Sequence, residues 1–513
     1  MDGATDGQSN GSRDPLTDGG TVFPEVGGHR STSATGRAVI AAAARAVDPG
    51  LAAAVEAERD WRRGYLTHLR ELSARAATVP GGAVSISVAG LDAVHAQFRF
   101  RSGGEDLPLR RSVRAGLEEA RRAPALFTAS VQGRAPFAAP DLSVPYRGGR
   151  LAGDDLRRRL EGWLAEGVAE PSFADAVLGV QADPQLLDLR DLTVVVLGAG
   201  AEMGPVVSLL RWGAHVVAVD LPGYATWRRL IDLARSGPGR LTVPVRHWLP
   251  ESSDDAEIAT AAGVDVIAET PRLLGWLAEI EGPFTLGSYV YADGAVHVRA
   301  SAAVDALIAE LGATRPDMAL AFLATPTDVF CVPVEAVEES RRRYAQRGWA
   351  RRLSRLGTAG RLFAPNYDGL LTMSDGRQAG LNDSLVPQQG PNYALAKRIQ
   401  RWRALAEQAA GRTVSLNVAP ATRTRSVLRN RLLAAGYAGA YRFGVEVFDP
   451  STSNTLMAAL LVHDLRHPST ETQRHPLDLF SAQAMHGGLW RTPFAPRSVL
   501  GVAVVLGMVQ RSA

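Results

Sequence analysis

The chain has almost no lysine. Of its 56 basic residues 55 are Arg, and Lys397 is the single Lys among 513 residues. With abundant Ala and Gly, this marks a coding bias that writes Arg wherever a bare positive charge suffices, so the one position that keeps Lys is singled out. Cysteine is equally scarce: the lone Cys331 excludes an intramolecular disulfide and a zinc site built from thiolates. Aromatic residues are only 6% and charged residues 21%, yet 46% of the chain is apolar, which excludes a disordered or collagen-like protein. Long apolar runs are missing. The longest, Val499 to Val509, is far shorter than the roughly 20 residues of a spanning helix and is expected as a core strand or helix, and no signal-peptide core stands at the N-terminus. The expectation is a soluble cytoplasmic protein with no membrane partner. A net charge of +3 and a pI of 9.1 are too slight an excess to demand nucleic acid.

Along the chain, residues 1–36 are rich in Gly, Ser, Asp and Thr and are expected as a disordered tail. Residues 37–185 read as an α+β domain, a substrate cap or dimerisation module. Its helices are expected over 38–77, 107–122 and 151–166, its strands over Ala83–Ala89 and Ala96–Arg101, with a Pro- and Gly-rich linker over 136–149. Residues 186–430 alternate buried strands with amphipathic helices, the pattern of a parallel sheet covered on both faces. The expected strands are Leu192–Leu197, Ala214–Val219, Leu241–Val245, Val264–Ala268, Ala319–Ala324, Arg361–Ala364 and Thr413–Val418. Tyr289–Arg299 reads as an inserted hairpin turning at Asp293-Gly294. Residues 431–513 remain as a C-terminal, substrate-side extension.

The stretch Gly198-Ala-Gly200-Ala-Glu202-Met203-Gly204 closes the first of these strands and opens a helix. Glycines there let the chain turn tightly and a pyrophosphate approach the backbone, while the helix start offers free amides. Asp220 ends the second strand, placed to accept from adenosine ribose hydroxyls, and its charge disfavours a 2′-phosphate. NAD is therefore the expected cofactor, with NADP admitted by the nearby Arg228 and Arg229. Gly198, Gly200, Glu202, Met203, Gly204 and Asp220 are the cofactor-binding candidates. The same pattern serves S-adenosylmethionine in methyltransferases.

Lys397 follows Tyr393 by four residues in a segment opened by Pro391, so both lie on one face of a helix, one turn apart. A neighbouring ammonium stabilises a phenolate and lowers the phenol's pKa, which makes Tyr an acid–base catalyst near neutral pH. Lys also supplies a compact donor for ribose hydroxyls that the broader Arg fork does not reproduce, so Lys397 is a cofactor-binding candidate as well.

Taken together, these motifs resemble the short-chain dehydrogenase/reductase superfamily over about residues 190–430. The resemblance implies a doubly wound parallel Rossmann-type sheet, with the N-terminal α+β domain and tail added, in a homo-oligomer. It implies hydride exchange between NAD(P) and a small-molecule carbonyl or alcohol, Tyr393 and Lys397 as the acid–base pair, and a Pro-containing loop beside the nicotinamide. That loop matches Pro420, Thr422 and Thr424. The family's catalytic Ser is sought at Ser384, with Ser374, Asn366 and Asn382 as alternatives. Its Asn-Asn-Ala-Gly segment is replaced by Ala268-Glu-Thr270-Pro or Ala324-Thr325-Pro-Thr-Asp328, and Val206 stands where the third glycine of the turn would be. A methyltransferase and a catalytically silent nucleotide-binding regulator are the other readings.

Outside this frame, His463 and His467 have the one-turn spacing of a metal pair but no zincin Glu, so no metal site is expected. Arg-rich residues 335–356 read as a solvated basic helix face.

Overall fold

The computed structural model describes residues 19–138, 140–468 and 474–512. Its centre is a sheet of seven strands: β1 (Phe127–Gln132), β2 (Thr193–Leu197), β3 (His215–Val219), β4 (Arg240–Val245), β5 (Thr285–Ser288), β6 (Ala319–Ala324) and β7 (Val414–Val418). Their order is β7-β6-β5-β2-β3-β4-β1. All neighbours are parallel except β1, which closes one edge antiparallel to β4. Val194, Val195, Val196 and Leu197 are all buried, as are Val216 to Val219. Such runs are apolar throughout because helices cover both faces. From β2 the chain builds outward to β4, then returns to the other side of β2 with β5, so the direction of winding reverses between β2 and β5.

The helices that frame the site are α1 (Thr32–Arg45), α2 (Trp61–Thr78), α3 (Gly82–Gln97), α4 (Gly294–Thr314), α5 (Trp349–Gly357), α6 (Gly390–Ala409), α7 (Arg431–Gly439) and α8 (Pro496–Ser512). Residues 1–18 of the expected tail lie outside the described residues. Its remainder is ordered: Gly20–Val22 is a buried strand held by Arg299, whose guanidinium donates to the Thr21 carbonyl at 2.6 Å, and α1 begins within it, capped by Ser31. Residues 37–185 supply β1, and the apolar faces of α1, α2 and α3 share one core with β2 and α6.

Several local expectations are corrected. Ala83–Ala89 belongs to α3, because the period-2 pattern of this short window sits inside a longer 3.6-residue one: Ala83, Ile86, Ser87, Gly90, Leu91 and Val94 are the buried face. Tyr289–Arg299 is no hairpin: Asp293 starts α4 and the strand is the preceding Thr285–Ser288. Val264–Ala268 is a turn in which the Asp265 carboxylate accepts from the amides of Ile267 and Ala268, and Arg361–Ala364 is irregular. Between β6 and β7 the chain inserts a small antiparallel sheet, ordered Val329–Val332, Gln378–Asp383, Leu370–Thr372.

Candidate functional site

The glycine turn sits at the C-terminal end of β2, where the winding reverses. Gly198 adopts φ +82°, and a Cβ there would meet the Tyr289 carbonyl at 2.9 Å, so the turn packs directly on the chain leaving β5. The Gly200 amide donates to Asp220 Oδ2 at 2.6 Å, and the Leu221 amide donates to Oδ1 at 2.8 Å. Asp220 thus binds the turn itself, with a second lone pair on each oxygen still able to accept. The following helix, Val206–Arg211, is short and starts after a further turn at Ala201–Gly204.

Glu202 and Met203 fasten the turn to the rest of the molecule. The Glu202 carboxylate accepts from the Arg425 amide at 2.7 Å, its carbonyl accepts from Asn454 Nδ2 at 3.1 Å, and Met203 packs into the core. Thr422 is buried, donating to the Pro420 carbonyl at 2.9 Å and sharing a 2.7 Å hydrogen bond with Ser453. The loop after β7 and the glycine turn after β2 are therefore brought together, with Glu202 and Thr422 as the fastenings.

On the other side of the crevice α6 packs against α4. The Thr325 hydroxyl, at the end of β6, shares a 2.9 Å hydrogen bond with Thr327 and is near enough to the Tyr393 phenol to favour its ionisation, and the His297 ring lies 5.7 Å from the Tyr393 ring and 5.2 Å from that of Tyr291. His297 is fully buried; neither ring nitrogen has a hydrogen bond of normal geometry among the described residues, and the Val290 backbone is the one polar group that acts on the ring as a weak acceptor. Burial, then the Lys397 charge, pull its pKa down to about 3, so it is neutral. Lys397 donates to Gln400 Oε1 at 3.0 Å; burial lowers its pKa to about 8, opposed by the nearby Asp328 carboxylate. Asp328 accepts from Arg398 and Arg401 of α6, each at 2.7 Å, and so fixes the Thr325–Asp328 loop against the helix that carries Tyr393.

Two expectations change here. Burial drives the Tyr393 phenol well above its ordinary value, and Thr325 is the neighbour that counters it. The phenol is thus a proton donor at neutral pH, and Lys397 turns to Gln400. The Ser384 hydroxyl is engaged elsewhere: Ser384 Oγ donates to Asn382 Oδ1 at 2.7 Å, within a buried network where Asn382 and Asn366 both donate to the Leu489 carbonyl, while its amide donates to the Asp328 carbonyl at 3.1 Å. Thr325 and His297 were missed as site residues. The signal for Thr325 was its place at a strand end, hidden because the inserted sheet parts it from Tyr393.

A cavity of about 810 Å³ is lined by Arg147, Arg423, Leu428, Tyr437, Tyr441 and Glu446, and by none of Tyr393, Thr325, His297 or Lys397. Tyr437 in its wall acts electrostatically on Tyr393. Elsewhere, His463 and His467 approach to 5.0 Å, but no group of three metal-ligating side chains occurs among the described residues. His486 is buried against Glu170 at 3.0 Å, itself paired with Arg491. Compared with known proteins, the chain matches no family model, no curated protein and no solved structure.

Proposed function

We propose that the protein is an oxidoreductase of Rossmann type that holds NAD(H), or NADP(H), in the crevice above β2 and β5 and interconverts a carbonyl and an alcohol on a small-molecule substrate. The observation that carries this reading is the strand order β4-β3-β2-β5-β6-β7, the 3-2-1-4-5-6 winding of dinucleotide-binding sheets, with the Gly198–Gly204 turn at its reversal point. The residues present fit the group. The turn needs glycine where it passes the β5 exit, Asp220 retains acceptor capacity for ribose hydroxyls, and the far wall holds a cation and an imidazole without a hydrogen bond of normal geometry.

When bound, the nicotinamide supplies or accepts hydride. The protein's part is protonic and electrostatic. Tyr393 gives a proton to the developing alkoxide, with the Thr325 hydroxyl as the neighbour that eases its ionisation. Lys397, cationic below about pH 8, lies one turn further along α6 and is held by Gln400. The substrate pocket is assigned to the cavity lined by Tyr437, the one lining residue that acts electrostatically on Tyr393.

The test is Tyr393→Phe. The variant should keep the rise in melting temperature that NADH gives the wild type, while turnover of a carbonyl panel drops by about 10²–10⁴-fold. Undiminished turnover sinks the mechanism. Stabilisation of the wild type by S-adenosylmethionine and not by NADH or NADPH would move the site to methyl transfer.

A further inference from the structure

We infer that the C-terminal part of the molecule carries a docking face for an anionic lipid bilayer. α5 buries none of its residues. Trp349, Leu353 and Leu356, spaced i, i+4, i+7, form an apolar stripe, with Trp349 75% and Leu356 76% exposed; Arg352 flanks the stripe, while Arg351 and Arg355 on the other side turn to the Phe494 ring and the Gly360 carbonyl. α8 extends the apolar surface. It crosses α7 so closely that a Cβ on Gly439 would meet the Ala503 carbonyl and one on Gly507 the Ala435 carbonyl. Its outer side leaves Val505 and Val509 more than half exposed, and Leu428 and Leu432 stand out beside it.

These pieces form one region. Tyr344 before α5 and Phe363 after it pack with Phe443, Phe494 and Val499 of the α7–α8 unit in one small satellite core. Ten of the nineteen large apolar side chains exposed among the described residues fall in this region, far more than the scattered singles expected of a monomer surface.

Charge selects the occupant. Residues 340–364 hold eight Arg, 421–445 hold five and 496–512 hold two, with no Asp or Glu inside these stretches. Arg342 and Arg343 pair with Glu339, Arg423 with Asp449, Arg425 with Glu202 and Arg497 with Asp383, while Arg341, Arg352, Arg429 and Arg431 are exposed and in no ion pair among the described residues. A second copy would press one predominantly cationic face on another. Nucleic acid would engage the arginines and leave Leu356, Val505 and Val509 in water. An anionic bilayer takes both, burying the apolar stripe at the headgroup boundary while arginines meet the lipid phosphates. No helix among the described residues is long and apolar enough to cross a membrane, so the attachment is to the surface, a mode that the sequence's lack of a spanning segment leaves open. This inference stands independently of the nucleotide reading.

The experiment is sedimentation of the full chain with vesicles of phosphatidylglycerol mixed with phosphatidylcholine, and with phosphatidylcholine alone. Binding is expected to the first, to weaken as salt rises, and to drop about tenfold or more for the pairs L353E/L356E and V505E/V509E, whose solvent positions leave the melting temperature in place. Failure to sediment with anionic vesicles overturns the proposal. So does a concentration-dependent dimer abolished by the same pairs, or retention of an oligonucleotide by a protein that ignores vesicles.

Discussion

The two ends of the α4–α6 contact carry the same kinds of side chain and treat them in opposite ways. At one end Arg403 donates to both oxygens of the buried Asp305 at 2.7 and 2.9 Å, His95 approaches the same carboxylate at 2.7 Å, and Glu407 accepts from Arg403 and Arg412 at 2.9 Å each. Every charge there has an opposite charge, and Asp305 titrates well below the usual carboxylate range because Arg403 and His95 outweigh its desolvation. One and two turns back along α4, Ser301 and His297 bury polar atoms with no hydrogen bond of normal geometry among the described residues, the Val290 backbone acting only weakly on the His297 ring; Gln400 Nε2 likewise lacks one, and Lys397 is in no ion pair of the described residues. Unpaired buried polar atoms cost stability that a saturated pair recovers. The saturated end is explained by the fold. The open end is left unexplained by the fold, and in the proposed function it is assigned to a bound dinucleotide and substrate.

The largest effect should come from breaking the saturated end. Asp305→Ala leaves Arg403 and His95 buried around a lost anion and is expected to cost about 3–5 kcal/mol in urea unfolding. Removing both partners with apolar residues, D305L/R403M, should cost much less. Equal losses would mean that the Asp305–Arg403 pair stabilises outright rather than merely satisfying itself.

The open end should respond with the opposite sign. Lys397 has a folded pKa of about 8 against 10.5 unfolded. Below pH 8 the native state therefore carries the full cost of a desolvated ammonium, which is relieved as pH rises from 8 to 10.5, where the unfolded chain binds the extra proton. Lys397→Met is expected to raise stability by about 2 kcal/mol at pH 7, with the gain shrinking through that window. A constant difference across pH 7–11 would show that the ammonium is solvated in the native state.

The framework of this contrast was legible in the chain because the signals were local. The β2 and β3 strands are Val-rich runs ended by Gly198 and Asp220, and a Tyr and a Lys four apart need only a helix to share a face. What escaped was set by tertiary contact. Asp293-Gly294 has the chemistry of a hairpin turn, yet Asp293 instead precedes the first residue of α4, and with α4 misread His297 could not be seen to turn inward. Thr325 and Tyr393 meet because Asp328 ties the β6 loop to Arg398 and Arg401, and nothing in the spacing of those residues announces it. Ser384 drew attention by lying near Tyr393 in sequence, but the inserted sheet directs its hydroxyl to Asn382.

The smallest expected effect is the one that tests the open end most directly. His297→Leu replaces two ring nitrogens that lack a hydrogen bond of normal geometry with a side chain of similar bulk, so at pH 7 stability should rise by about 1 kcal/mol. Wild-type His297 is held neutral down to about pH 3 while the unfolded chain takes up its proton near 6.5. The native state therefore loses stability as pH falls through that interval, and the variant should lack this share of the acid slope. The gain of the variant over wild type must then widen from pH 7 to pH 4. If the difference instead stays flat or reverses, the ring is protonated and bonded in the native protein, and the two ends of α4 and α6 are alike after all.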